Sequence, residues 1–292
     1  FAAGTKSAPT ALDLTDPGTL TLCSGHWYAA LRLRADLDIE GAGSEETILD
    51  GGGQVRILDI EGAAVTLTGL SLAEGYADTH GGAIIATGAT LSLDDVRLVR
   101  NVAYDYGGAL YASGSDVLIH DSRFFSSQAS QGSAILITHG TAAISESTIH
   151  GGSSGSGAAG IQVSDAAVTI TDSQLTDNFS NVGGGALYLT SGEVALTDSV
   201  IESNGADDYG GAVFMESGAL TLTGCTLRSN TAGFGGETLY ASISEGRDFQ
   251  LVSKDSDFEA GSELQLWLPE YFGSFTPTGL FSFSCDLKGC SP

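Results

Sequence analysis

Carboxylates recur at a regular spacing through the middle of this 292-residue sequence. The recurring positions hold Asp95, Asp121, Glu146, Asp172 and Asp198. Carboxylate oxygens are the ligands that Ca²⁺ prefers, and closely stacked carboxylates repel one another unless a cation lies between them. If the chain stacks these residues, the four aspartates are candidate ligands for Ca²⁺. The alternative is that they are ordinary carboxylates of turns, exposed to solvent.

A second position with the same spacing is rich in aromatic residues. It holds Ile85, Tyr111, Leu136, Gln162, Tyr188, Phe214 and Tyr240. Aromatic rings arranged in a row suit contact with sugar rings or with the apolar surface of a partner protein. The candidate binding residues are the four aromatic members of the repeat region: Tyr111, Tyr188, Phe214 and Tyr240.

Catalytic patterns are sparse in comparison. A polysaccharide lyase needs a Lys or Arg as base, and a hydrolase needs paired carboxylates. The chain has 11 basic residues against 36 acidic ones, and no Lys lies between Lys6 and Lys254. The pair Asp94-Asp95 suits a turn better than a catalytic dyad, and His139-Gly140 is an isolated piece of the polygalacturonase pattern. We therefore keep a polysaccharide lyase or hydrolase as the alternative to a protein without catalysis.

Two sequence markers repeat in phase with these columns. The triplet Gly-Gly-Ala ends at Ala83, Ala109, Ala186 and Ala212. An apolar residue followed three positions later by Asn gives the second marker, which ends at Asn101, Asn178, Asn204 and Asn230. Neighbouring copies of either marker are 26 residues apart, with degenerate copies between the more distant ones. A repeat of this length indicates stacked units, none of which has a core of its own.

Each repeat has room for three short strands joined by turns, and the strands alternate apolar and polar residues. A single coil of three strands cannot bury its own apolar face, so successive coils must stack and pair in register. The sequence thus predicts an all-β fold, a parallel β-helix of about eight coils with a cap at each end. The Asn marker should form a ladder of amide hydrogen bonds at a turn.

The markers Gly-Gly-Ala-[Ile/Leu/Val] and [Phe/Leu/Ile]-x-x-Asn resemble repeats of the right-handed parallel β-helix superfamily, whose members include pectin-lyase-like proteins. They resemble most specifically the repeats of chlamydial polymorphic outer-membrane proteins. The stretches 22–28, 39–43 and 47–51 are similar to the opening coils of secreted β-helix proteins. The resemblance implies the right-handed single-stranded helix. Since adhesins and lyases share such markers, it implies no single function.

Stacking predicts which side chains face inward. The first inward column holds Ile84, Leu110, Ile135, Ile161, Leu187 and Val213. The second, two residues later, holds Ala86, Ala112, Ile137, Val163, Leu189 and Met215. Tyr111 lies between two inward residues and must point outward, so the aromatic column should face water as a stripe with about 4.8 Å between rungs. The alternative is that the C-terminal segment folds back over the stripe.

The chain then divides into an N-terminal cap (1–28), a β-helix (29–245) and a C-terminal cap or docking segment (246–292). The net charge of −25 argues against nucleic acid as a partner. No apolar run approaches the roughly 18 residues of a transmembrane helix.

We expect a secreted or surface-displayed structural or adhesive protein that contacts a glycan or a protein partner, including copies of itself. We expect no cofactor, with Ca²⁺ as the exception to test. An end-to-end filament subunit is a further alternative.

The cysteines support an extracytoplasmic location. Cys285 and Cys290 enclose four residues near the C-terminus, a spacing that suits a disulfide in an oxidising compartment. A metal site would need two further ligands. Cys225 falls in the same column as Ser173 and Ser199, where we expect a buried free thiol.

Alkylation without reduction should therefore leave Cys285 and Cys290 unmodified, because their sulfurs are bonded to each other. Peptide mass spectrometry of the denatured, alkylated protein measures this directly, and a reduced sample is the control in which both residues must be modified. Modification of Cys285 in the unreduced sample would contradict the pairing.

Overall fold

The computed structural model describes residues 6, 9–242, 244, 248–260, 263–268, 271–275, 281–286 and 289–291, and for residues 268, 271–275, 281–286 and 289–291 it describes the backbone alone. These residues form a right-handed parallel β-solenoid of about nine turns, and they contain no helix. The predicted fold class is confirmed. Parallel pairing begins at Thr10, inside the range predicted as an N-terminal cap, so the turns outnumber the eight expected.

The strands of the N-terminal turns pair in parallel with strands later in the chain: β1 with β3, and β2 with β4. Their bounds are β1 (Thr10–Leu14), β2 (Gly18–Thr21), β3 (Gly25–Leu33), β4 (Leu37–Glu40), β5 (Thr47–Asp50), β6 (Leu58–Glu61), β7 (Ala64–Ala73) and β8 (Tyr76–Ala77).

In the repeat region a coil holds up to four strands instead of the three predicted. In chain order the coils are β9 (Ile84–Thr87), β10 (Thr90–Val99) and β11 (Val102–Ala103); β12 (Leu110–Ser113), β13 (Asp116–His120), β14 (Arg123–Phe125) and β15 (Gln128–Ala129); β16 (Ile135–Thr138), β17 (Thr141–Ser145), β18 (Thr148–His150) and β19 (Ser153–Ser154); β20 (Ile161–Ser164), β21 (Ala166–Thr171), β22 (Gln174–Thr176) and β23 (Phe179–Ser180); β24 (Leu187–Leu189), β25 (Gly192–Thr197), β26 (Val200–Glu202) and β27 (Gly205–Ala206); β28 (Val213–Met215), β29 (Gly218–Thr223), β30 (Thr226–Arg228) and β31 (Thr231–Ala232).

Strands at equivalent places in the coils stack into faces. We call the sheet that begins with β1 and the end of β3, continues through β6, β9, β12, β16, β20, β24 and β28, and extends to Leu239–Ser242 the first face. The second face holds the first halves of β7 and β10 with β13, β17, β21, β25 and β29. The third face holds the second halves of β7 and β10 with β14, β18, β22, β26 and β30. The two-residue strands form a separate seven-stranded sheet with β8, the fourth face. Two residues are too few to show an alternation of polarity, which is why the sequence predicts only the three longer strands.

The C-terminal strands continue the solenoid and then reverse direction. They are β32 (Leu239–Ser242), β33 (Phe249–Lys254), β34 (Asp257–Phe258), β35 (Leu264–Leu268), β36 (Tyr271–Phe275), β37 (Phe281–Asp286) and β38 (Gly289–Ser291). β36 pairs antiparallel with β35, and β37 pairs antiparallel with β33. The reversed strands thereby pair the backbone of the last coil, which a solenoid end would otherwise leave open. In β37 and β38 the backbones of Cys285 and Cys290 lie opposite each other. Their side chains are outside the described residues, so the disulfide stays a prediction.

The inward columns are confirmed. Ile84, Leu110, Ile135, Ile161, Leu187 and Val213 have no exposed surface, and neither has any member of the second column. Neighbouring members are direct partners in the register, for example Ile161 with Leu187 and Leu187 with Val213. The core is therefore a stack of aliphatic layers that runs the length of the solenoid.

The predicted Asn ladder is present where the marker is intact. Asn178 donates from its backbone N and its Nδ2 to Oδ1 of Asn204 at 3.1 and 3.0 Å, and Asn204 donates in the same way to Asn230 at 3.0 and 3.1 Å. Each Nδ2 also reaches a backbone carbonyl, that of Leu175 in the case of Asn204. These amides are buried and satisfy the turn between the third and fourth faces.

A second ladder joins the second and third faces. Ser147 donates its backbone N to Oγ of Ser173 at 3.1 Å, and Ser173 donates to Oγ of Ser199 at 3.2 Å. The column continues at Cys225, whose Sγ lies 3.5 Å from the carbonyl oxygen of Thr223. Cys225 is buried and forms no disulfide, as predicted. Burial raises the pKa of its thiol, with the charge of Asp198 a minor cause.

Each coil changes direction at corners where one residue has a left-handed backbone. The corner between the second and third faces holds Gly69, Asp95, Asp121, Glu146, Asp172, Asp198, Gly224 and Asp255, all with positive φ. Glycine tolerates this conformation freely, and aspartate tolerates it better than most residues. Before the first face, the second glycine of each pair has a different role: a Cβ at Gly108 would lie 2.4 Å from the carbonyl oxygens of Gln128 and Ser133.

Leu187→Asp should cost at least about 4 kcal/mol of unfolding free energy, because it places an unpaired charge in the aliphatic stack. The matched control is Leu118→Asp, which makes the same change at a strand residue that is itself 50% exposed. Urea unfolding followed by circular dichroism measures both. Equal stability losses in the two variants would contradict the assigned inward face.

Asn204→Ala should cost about 2–4 kcal/mol, since it leaves buried donors of Asn178 and buried carbonyls without partners. Asn181→Ala, at an exposed turn position, is the control and should change stability by less than about 0.5 kcal/mol. The same unfolding measurement applies. A loss at Asn204 no larger than that at Asn181 would show that the ladder contributes nothing.

Candidate binding face

The aromatic column lies on the outer side of the first face, as the alternation predicts. Tyr111 is in register with Leu136, and Leu136 with Gln162. Farther along, Tyr188 pairs with Phe214 and Phe214 with Tyr240. None of these residues belongs to the buried apolar core, so the outward direction of their side chains is confirmed.

The expected exposure of the stripe is wrong for two of its four aromatic members. Phe214 is 8% and Tyr240 4% exposed, while Tyr111 and Tyr188 are half-buried. The cover comes from the turn that precedes each glycine pair, at a set of positions that we call the wall. The wall holds His80, Tyr106, Gln131, Gly157, Gly183, Tyr209 and Gly235.

A wall residue covers the stripe residue of the following coil. The rings of His80 and Tyr111 stack with centroids 4.8 Å apart, and those of Tyr209 and Tyr240 stack at 4.4 Å. Where the wall residue is glycine, the ring of the stripe residue occupies the place of the missing wall side chain. At Gly183, for example, a Cβ would lie 2.7 Å from the ring of Phe214. The stripe is therefore the inner layer of a two-layer surface.

The C-terminal segment does not supply this cover along the stripe in the part of the chain that the structure describes. Its described strands extend or close the last coils, and Gln265 follows Tyr240 in the same column. Among the described residues, the cover over Tyr111 and Tyr240 comes from His80 and Tyr209 of the wall.

Tyr188 has the most strongly perturbed environment on this face. Its ring stacks on Phe214 with centroids 4.7 Å apart and planes inclined by 16°. Its hydroxyl donates to Oε1 of Glu216 at 2.6 Å. Burial, followed by this hydrogen bond and the charge of Glu216, raises the pKa of Tyr188 far above its ordinary value. The ring is thus held in one orientation with its hydroxyl occupied.

Beyond the N-terminal end of the stripe the same outward column becomes charged. Asp13 is in register with Arg32, and Arg32 with Asp59. Together with Arg56 and Asp78 these residues line an open hollow of about 410 Å³. The aromatic pattern does not predict this cluster, because no aromatic member of the column lies N-terminal to Tyr111.

Arg56 is the basic residue most removed from solvent in that hollow, and burial lowers its pKa. Its Nε donates to the carbonyl oxygens of His80 and Gly81 at 3.2 and 2.9 Å, and its Nη2 donates to His80 at 2.8 Å. Deprotonation would remove donors from these bonds, so the guanidinium is suited to holding the wall in place and poorly suited to acting as a base.

A second hollow, of about 240 Å³, lies farther along the first face. Its lining comprises Tyr106, Tyr111, Gln131, Leu136, Thr138, Gln162, Ser164 and Thr190. The hydroxyl residues belong to the outward column two positions after the stripe, which Thr87, Ser113, Thr138, Ser164 and Thr190 continue in register. That column was visible in the sequence and was not singled out.

The acidic column has a conformational cause. Asp95, Asp121, Glu146, Asp172 and Asp198 occupy one corner with φ between 40° and 50°. Asp95 accepts a hydrogen bond from Ser44 at 2.6 Å, and Asp121 lies 3.9 Å from Arg123. Among the described residues, no group of three or more His, Cys, Asp or Glu side chains is placed to hold a metal ion. Stacking alone therefore does not make the column a Ca²⁺ site.

Across the described ranges, no helix is both long and apolar enough to cross a membrane. Comparison with curated proteins finds no match, and comparison with solved structures finds none either. The family model described as the right-handed β-helix region matches residues 57–245, which include the whole aromatic stripe from Ile85 through Tyr240. The order of the strands, the inward columns and this match agree, and the chain belongs to the right-handed β-helix family.

Proposed function

We propose that this protein is a non-catalytic, secreted or surface-displayed structural or adhesive protein that contacts a glycan or a partner protein through the outer side of its first face. The observation that carries the proposal is the combination, on one rigid face, of fixed and partly exposed aromatic rings at Tyr111 and Tyr188 with two open hollows. Fixed rings suit binding because little conformational freedom is lost on contact.

The contact surface differs from a bare aromatic stripe. The buried rings of Phe214 and Tyr240 stack against Tyr188 and Tyr209 and support them. Tyr111 and Tyr188 present the part of their surface that stays exposed. The net charge of −25 favours partners that are neutral or basic over nucleic acid or an anionic membrane. The pair Cys285 and Cys290 supports an oxidising compartment. A second copy of the chain is among the protein partners considered.

One observation favours the alternative of a polysaccharide lyase or hydrolase. The charged hollow places Arg32 and Arg56 among Asp13, Asp59 and Asp78, which is the combination that such an enzyme needs. Against it, Arg56 is bonded to backbone carbonyls and Arg32 is largely exposed to solvent, 3.7 Å from Asp13. We therefore rank binding above catalysis.

The double variant Tyr111→Ala/Tyr188→Ala should weaken binding at least tenfold, because it removes the two partly exposed aromatic rings of the stripe. Glycan arrays measure saccharide binding, and sedimentation velocity measures self-association. The matched control is Tyr104→Ala, which removes a tyrosine that is 73% exposed on another part of the coil. Thermal unfolding of each variant establishes that the fold is retained.

Binding that survives in the double variant and fails in Tyr104→Ala would place the contact elsewhere. Absence of any saccharide binding or self-association in the unaltered protein would overturn the proposal. Release of new reducing ends or unsaturated sugars from polysaccharides, abolished by Asp59→Asn, would establish the enzyme instead.

A further inference from the structure

The smaller hollow on the first face is uncharged, in contrast to its surroundings. In a chain with a net charge of −25, its lining consists of two tyrosines, two glutamines, three hydroxyl residues and one leucine. The larger hollow on the same face is lined by both arginines and aspartates. A lining of amides, hydroxyls and aromatic rings without charge matches a neutral ligand that carries many hydroxyl groups.

Gln162 forms the floor of this hollow and is only 6% exposed. Its Nε2 donates to Oε1 of Gln131 at 3.0 Å, whereas its Oε1 is buried without a hydrogen-bond partner among the described residues. A buried amide oxygen that lacks a donor is costly, and in native proteins such groups often mark a place that a ligand or water completes. Gln162 is therefore a polar side chain on the floor of the hollow whose hydrogen bonding the described residues leave incomplete, with its Oε1 turned toward Gly157.

The geometry of the wall holds this amide in position. A Cβ at Gly157 would lie 2.2 Å from Oε1 of Gln162, so any residue other than glycine there would displace the amide from its present position. Gln131, the wall residue of the preceding coil, fixes the other end of the amide. Since Leu136 occupies the stripe position one coil earlier, the fold does not require a polar residue at this position.

Aromatic rings stand at one end of the hollow. Tyr111 stacks on His80, with 4.8 Å between centroids, and the rings of Tyr106 and Tyr111 lie 6.4 Å apart at 29°. Thr138, Ser164 and Thr190 form a row of hydroxyls along the strands beside them. An aromatic platform at one end and a row of hydroxyls and amides beside it suit the apolar face and the hydroxyl edge of a sugar ring.

We propose that this hollow is a binding subsite for one uncharged sugar ring of a neutral saccharide, with Gln162 as the residue that recognises its hydroxyls. This subsite rests on the proposed function, because it lies on the same face that makes the proposed contact. The ligand class that it adds is a neutral saccharide. The volume of about 240 Å³ is below the roughly 300–1,000 Å³ of sites for drug-sized ligands, which fits a single ring of a longer chain.

The test is an NMR titration of the full chain, labelled on its tyrosine rings, with cellobiose and maltose as neutral probes and digalacturonate as the acidic probe. The resonances of Tyr106 and Tyr111, assigned from Tyr→Phe variants, should shift on addition of at least one neutral disaccharide. Gln162→Leu should raise the dissociation constant of that disaccharide about tenfold. Gln174→Leu, the same change at an exposed position on the third face, should leave it unchanged.

Thr190→Val provides a second variant that retains side-chain shape, and it should weaken binding about threefold to tenfold by removing one hydroxyl. Shifts caused only by digalacturonate, or equal affinities in the Gln162 and Gln174 variants, would overturn the neutral subsite. If the glycan array or sedimentation experiment is positive while these titrations show no response, the proposed function stands and this inference fails. If all of them are negative, both fail.

Discussion

The parallel register between successive coils is the constraint on which the rest of this structure depends. Every coil hydrogen-bonds to the next at the same positions, so each residue has an equivalent directly above and below it, as Leu187 has in Ile161 and Val213. The aliphatic core, the Asn and Ser ladders, the corners and the outward stripe are all consequences of this one alignment. A substitution at one position therefore alters first the packing and hydrogen bonds of its two neighbours in the same column.

Alternation along a strand is enough to predict which side of the sheet a residue occupies, and for that reason the core and the direction of Tyr188 follow from the sequence. The cover over the stripe does not follow, because it depends on the path of a turn. His80 contacts Tyr111 in the next coil, and nothing in the local pattern around either residue indicates that contact. The orphaned oxygen of Gln162 is likewise visible only once the positions of Gly157 and Gln131 are known.

The acidic column shows how one regularity in a sequence can have two physical causes. Stacked carboxylates such as Asp121 and Asp172 suggest a cation, but the same positions are occupied by glycine at Gly69 and Gly224. Glycine cannot ligate through a side chain, whereas it shares with aspartate a tolerance for the left-handed conformation. The substitution pattern within the column thus shows that the backbone conformation is sufficient to explain aspartate at these positions, and this signal was already present in the sequence.

The Asn column is interrupted in the middle of the solenoid, between Asn101 and Asn178. Ser127 and Gly152 occupy the intervening places, and the hydroxyl of Ser127 is buried without a partner. In a protein whose cohesion is a chain of nearest-neighbour couplings, such an interruption weakens one link without altering the others. The Ser ladder and the inward columns continue through the same coils, where Ser122 donates its backbone N to Oγ of Ser147 and Ile135 pairs with Ile161. The interruption is therefore confined to the turn between the third and fourth faces. The lining of the neutral hollow comes from these same central coils, so the coils that lack the amide bonds at one turn still share a continuous outer surface on the first face.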